Sequence, residues 1–207
     1  MQRAAACLFA ICLVAESAAA QTSDRLWQSL IKGNRQYVAG RLTFDHIADL
    51  RKQSAAHQNP PVTVLSCSDS RVPPELVFNR SLDQLFVIRV AGNVASDFEI
   101  ASIEYAIANG YTKLIVVLGH EECGAVKEAM SAGEPPTPSL ALLVRRIRES
   151  FAAKPATIEA AVQANARGSA AYLVAHSKVI RDAVDSRRVG LVIAYYHLGS
   201  GVVERLR

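Results

Sequence analysis

Cysteine is scarce in this chain: four residues in 207, at positions 7, 12, 67 and 123. That is too few for a disulfide framework, and an oxidising compartment could make little more of them than one bridge. Aromatic residues are sparse, at 6%. They do not alternate with basic residues, and the densest basic spots are only Arg145-Arg146, Arg148 and Arg187-Arg188. Neither charge sign dominates, with 23 Lys and Arg against 19 Asp and Glu. This combination argues against a nucleic-acid groove and leaves a solvated, mildly basic surface. Internal repeats are lacking as well.

Long hydrophobic runs are confined to one place. Arg3 is followed by the apolar stretch Ala4 to Ala15, then by Glu16-Ser17 and the small residues Ala18-Ala19-Ala20. A charged start, a short apolar run and a small-residue exit describe a secretory signal peptide. The run is too short to span a bilayer. Residues 1–20 are therefore expected to be removed before Gln21, with export to the periplasm of a bacterium and no membrane attachment afterwards. Cys7 and Cys12 leave with this segment. The mature protein, expected as a single domain over 21–207, then keeps Cys67 and Cys123 alone. A disulfide between them is the plain alternative to any special chemistry.

Four short β-branched runs are expected as strands: Val62 to Leu65, Leu85 to Ile88, Leu114 to Leu118, and Val189 to Tyr195. Continuous apolar runs, without alternation, predict strands covered on both faces. Helical patterns lie between them. Ser96-Asp97-Phe98-Glu99 is a capping box ahead of Ile100, Ile103 and Ile107. Further helices are expected over Ser139 to Phe151, and over Ile158 to Val184 as one helix or two. Arg41 to Gln58 is polar, shows little periodicity and is expected to wrap the surface. The N-terminal segment around Trp27, Leu30 and Tyr37 has helical spacing, a weak spot at Gly33-Asn34 and no evident partner in its own chain. It is expected to form an extended helical arm. The fold class is thus α/β, a mostly parallel central sheet flanked by helices.

Sites in such folds form at the carboxyl ends of strands. Three strand ends here are polar: Cys67-Ser68-Asp69-Ser70-Arg71, Arg89-Val90-Ala91-Gly92-Asn93, and Gly119-His120-Glu121-Glu122-Cys123-Gly124. Two thiolates and an imidazole suit zinc, and three protein ligands leave the fourth position open, as catalytic zinc sites require. Cys67, His120 and Cys123 are the expected ligands, with Asp69 the one near candidate for a fourth.

Those three motifs resemble the β-class carbonic anhydrases, and the likeness extends to Gly33-Asn34-Arg35-Gln36-Tyr37, Val72-Pro73-Pro74-Glu75, Ser102 to Ala106 and Tyr195 to Gly201. The resemblance implies zinc on Cys67, His120 and Cys123, and reversible hydration of carbon dioxide to bicarbonate and a proton by a zinc-bound hydroxide. It implies that Arg71 holds Asp69 off the metal, with Asp69 as fourth ligand in a closed state. Gln58 matches a substrate-orienting glutamine, and Phe86 or Val90 is expected to wall the carbon dioxide pocket. It also implies a homodimer or a doubled dimer, with each site near the subunit interface. Val64 stands where the bicarbonate-regulated branch has tryptophan, so that regulatory pocket is not expected. Two rival readings remain at this point: a hydrolase of carbonyl sulfide or carbon disulfide on the same scaffold, and a non-catalytic zinc-binding scaffold.

Overall fold

The computed structural model describes residues 22–207; the expected signal segment lies outside the described residues. Helix α1 covers residues 22–38 and α2 covers Ile47–Gln53. Strand β1 (Val62–Ser66) leads through the short α3 (Pro74–Val77) to β2 (Leu85–Arg89) and a 3-10 turn at Ala91–Asn93. Then come α4 (Asp97–Ala108), β3 (Leu114–His120), α5 (Gly124–Met130), α6 (Pro138–Arg148), α7 (Ile158–His176), α8 (Lys178–Asp185), β4 (Gly190–Tyr196) and β5 (Val203–Arg205).

The strands form one sheet in the order β2-β1-β3-β4-β5. The first four are parallel, and β5 returns antiparallel to β4. Every residue of β1 and β3 is buried, as expected of central strands covered on both faces, while β2 at the edge is only partly so. One face carries Val62, Val64, Leu114, Val116, Leu118 and Val192 against Trp27, Leu30, Val77 and Phe78. The other carries Leu65, Ile115 and Val117 against Ile103, Ala166, Leu173 and Ile180.

One expectation is corrected here. The segment around Trp27 and Leu30 is helical but does have a partner in its own chain: it lies across the first face of the sheet, with Trp27 5% and Leu30 1% exposed. Gly33 is what lets it approach, since a Cβ there would stand 1.9 Å from the Phe78 carbonyl oxygen. The apparent weak spot of α1 is its closest packing point. The surface stretch of weak periodicity contains α2, whose residues are all at least partly exposed and which therefore shows no buried stripe to read. The segment Ile158 to Val184 resolves into two helices. Ser177 divides them, its hydroxyl accepting from Ile180 N–H at 3.0 Å and donating to Glu104 Oε1 at 2.6 Å.

Strand order places the site. From β1 the chain moves outward to β2, and from β3 it moves the opposite way to β4. The carboxyl ends of β1 and β3 therefore flank a topological switch point, where departing loops diverge and leave a crevice.

Candidate metal centre

β1 and β3 pair in parallel with Ser66 level with Leu118. Cys67 follows β1 directly and His120 closes β3. Glu122 then takes the left-handed conformation, with φ 57°, which turns the chain and brings Cys123 to the start of α5. Short strands and one tight turn thus gather three side chains distant in sequence. The Sγ atoms of Cys67 and Cys123 and a ring nitrogen of His120 lie within 4.8 Å of one another, all buried. Both cysteines are free thiols, so the disulfide alternative does not hold in this structure. Their sulfurs are 4.0 Å apart. Two thiolates on one tetrahedral zinc, at about 2.3 Å each, stand about 3.8 Å apart.

His120 carries a sharper sign. Its Nδ1 lies 2.8 Å from the Glu121 carbonyl oxygen. A carbonyl can only accept, so Nδ1 holds the ring hydrogen and Nε2 presents a lone pair. Nε2 is buried and without a hydrogen-bond partner. An orphaned acceptor beside two thiols can hold a metal ion, and a carbonyl fixing the opposite nitrogen is the usual support for such a ligand. The thiols answer each other in the same way. A hydrogen bond from Cys123 is the main cause that lowers the Cys67 pKa to about 4, while the same bond and burial push Cys123 upward. The backbone N–H groups of Asp69, at 3.4 Å, and Gly92, at 3.3 Å, also point at the Cys67 sulfur. The residues fit a soft divalent cation that displaces the remaining thiol proton.

Asp69 stands at the edge of this cluster, with Oδ2 3.9 Å from His120 Nε2. Arg71 grips it by a two-pronged contact: Nε donates to Oδ1 at 2.9 Å and a terminal nitrogen to Oδ2 at 2.7 Å. The Arg71 backbone N–H adds a bond to Oδ1 at 2.9 Å. These bonds hold the carboxyl well below the usual carboxylate range, the Arg71 side chain being the main cause. Arg89 buttresses the turn from behind, donating to the carbonyls of Cys67 at 3.0 Å and Asp69 at 2.6 Å.

Of the residues expected in the substrate pocket, Val90 packs against the cluster that contains Cys67 and Cys123. Gln58 and Phe86 do not reach it. Gln58 is exposed and precedes β1, whereas Cys67 follows it. The length of β1 alone separates the two ends by about 13 Å. Phe86 pairs with Thr63 near the entry end of the sheet and stacks on the half-exposed Tyr105, their centroids 6.2 Å apart.

Sequence reasoning missed two supports. Asn165, in the middle of α7, donates to the Gly92 carbonyl at 2.6 Å. Nothing in the helix pattern marks it, apart from a polar residue on an apolar face. Gly92 itself is required: its φ is +68°, and a Cβ would meet Ile147 Cδ1 at 2.8 Å. Among the described residues, no helix is long and apolar enough to cross a membrane.

A five-stranded, mostly parallel α/β sheet with a Cys-His-Cys cluster at its switch point defines the class, a metalloenzyme scaffold of the carbonic anhydrase type. The family described as carbonic anhydrase matches residues 62–203. Carbonic anhydrase 2 of Mycobacterium tuberculosis is 34% identical over 187 residues, covering 84% of this chain and 88% of the relative. The carbonic anhydrase of Mycolicibacterium smegmatis is 34% identical over 186 residues, covering 86% and 90%. Among solved structures, the β-carbonic anhydrase CcaA superposes with a TM-score of 0.69 at 26% identity, covering 86% of both chains. The Coccomyxa β-carbonic anhydrase in complex with acetazolamide gives 0.67 at 28% identity, covering 77% of each. The chain belongs to the β-class carbonic anhydrase family.

Proposed function

We propose that the protein is a zinc-dependent carbonic anhydrase that interconverts carbon dioxide and bicarbonate, with Cys67, His120 and Cys123 as zinc ligands. The observation that carries this is the buried, unpartnered Nε2 of His120 facing two thiols, beside an Asp69 held by Arg71. Bound zinc would supply a Lewis acid that brings the pKa of a water to about 7. The chain's own residues do the rest. Asp69 is an acceptor only, and Arg71 leaves it neither free to protonate nor free to turn. It accepts the hydrogen of the attacking oxygen and so aims that oxygen's lone pair at the substrate carbon. Arg89 fixes the turn on which Asp69 stands. Val90 gives the crevice an apolar wall suited to carbon dioxide. Cys67→Ser and Cys123→Ser should each lose zinc and carbon dioxide hydration together; a variant that kept full activity without zinc would overturn the ligand assignment.

Gln58 and Phe86 take part, in this reading, across a subunit interface. Strand β2 is the sheet edge and pairs with β1 alone. Gln58, Phe86 and Tyr105 lie on that side, beyond reach of their own zinc ligands. A second copy docked there offers the Gln58 amide to a substrate oxygen gaining negative charge. The protein is further proposed to be exported to the periplasm after cleavage before Gln21, on the strength of the Arg3, Ala4–Ala15 and Ala18–Ala20 pattern. N-terminal sequencing of the native protein checks this; an intact Met1 would contradict it.

A further inference from the structure

Both thiols of the cluster belong to the proposed zinc site, and among the described residues they are the only cysteines. Their sulfurs, 4.0 Å apart, stand in hydrogen-bond contact across β1 and β3. A disulfide needs about 2.05 Å, so a closure of about 2 Å separates the ligand arrangement from a covalent one. Neither cysteine lies inside a regular element. Cys67 is in the turn after β1, and Cys123 is the residue before α5. Each can shift without breaking a strand or an internal helical turn. Removing both sulfurs would leave His120 as the one ligand of the three, and a lone imidazole does not hold zinc.

We propose that Cys67 and Cys123 make this a redox-gated metal site: without zinc the pair closes to a disulfide that excludes the metal, and reduction reopens it. The proposal rests on the reading of these residues as zinc ligands, and not on carbon dioxide turnover. The chemistry balances with hydrogen peroxide as oxidant. The Cys67 thiolate, held by the N–H groups of Asp69 and Gly92, attacks one peroxide oxygen, and the O–O bond breaks to give a sulfenic acid and hydroxide. Cys123 then attacks the Cys67 sulfur. The S–S bond forms, the S–O bond breaks, and the oxygen leaves as water with the two remaining protons. Bound zinc would occupy the lone pair that Cys67 needs for this attack and so would protect both thiols. A dithiol reductant returns both thiols by exchange. For a protein exported to an oxidising compartment, zinc loading would then protect the active form, and loss of metal would lead to a stable, recoverable form.

The test uses the zinc-loaded protein. One portion is stripped of zinc with a chelating dye and another keeps its zinc; both are treated with hydrogen peroxide, and zinc, free thiols and non-reduced peptides are followed together. The expected result is a peptide joining Cys67 to Cys123 in the stripped portion, with thiols and zinc retained in the loaded one. Dithiothreitol followed by added zinc, with the dye removed, should then restore both thiols and a zinc content of about one per chain. Cys123→Ser, which lacks the second thiol, should instead leave Cys67 as a sulfenic or sulfinic acid that a dithiol does not return to zinc binding. Three results overturn the proposal: sulfinic acid on Cys67 in the unaltered protein, thiols that survive zinc removal under peroxide, or a disulfide-bonded protein that still binds zinc. If the reduced protein binds no zinc at all, the ligand assignment falls, and this inference with it. Failure of carbon dioxide hydration with normal zinc and thiol behaviour would leave the gate standing and remove only the activity.

Discussion

The carboxylate of Asp69 has two possible attachments, a metal at the cluster or the guanidinium of Arg71, and in this structure it has the second. Its pKa is depressed because those hydrogen bonds favour the charged form. A depressed folded-state pKa adds stability that is complete above the unfolded value, about 3.9, and is lost as pH falls through the folded one. The pair therefore stays intact through the neutral and mildly acidic range. Arg71→Ala should be less stable than the parent at neutral pH, by a margin that shrinks below about pH 4. It should retain zinc but lose turnover by about 100-fold or more, because Asp69 is then free to move onto the metal. Unfolding free energy against pH, with zinc content and hydration rate, checks this. A pH-independent margin, or wild-type turnover with zinc bound, would remove the gating role given to the pair.

The elements around the cluster serve it through a few backbone fittings, and these divide what could be read in the sequence from what could not. Gly92 needs a positive φ and has Ile147 pressed over its α-carbon. Gly92→Ala should cost about 1–3 kcal/mol, from strain and overpacking, and weaken zinc retention because the N–H aimed at Cys67 shifts. A thermal melt and a zinc competition assay measure both; an unchanged melt would contradict the strain argument. The strands were legible because β1, β3 and β4 bury β-branched runs, and the Cys67, His120 and Cys123 cluster because polar motifs follow those runs. The capping box at Ser96 was legible too, and the Glu99 carboxylate does accept the Ser96 N–H at 3.0 Å. What stayed hidden depends on tertiary approach. Asn165 reaches Gly92 across the fold. Trp27 and Leu30 find their partner in a sheet formed by later residues. Helix α2 buries nothing and so leaves no period to detect.

For the whole molecule, one chain holds the Cys-His-Cys cluster at one end of the sheet, while Gln58 and Phe86 stand at the other. An assembly of at least two copies is therefore expected, in which the β2 edge of one chain approaches its partner. Sedimentation should show no active monomer at micromolar concentration, and Gln58→Ala should lower turnover while leaving zinc content unchanged. A fully active monomer would confine Gln58 to the surface. Whether Cys67, His120 and Cys123 carry a catalytic zinc is decided by a stopped-flow carbon dioxide hydration assay on protein titrated with zinc, the metal content of each sample being determined alongside. The rate should rise linearly with zinc and level off at about one ion per chain, with Cys67→Ser inactive throughout. Folded protein that carries zinc on Cys67, His120 and Cys123 yet does not hydrate carbon dioxide would contradict the catalytic role.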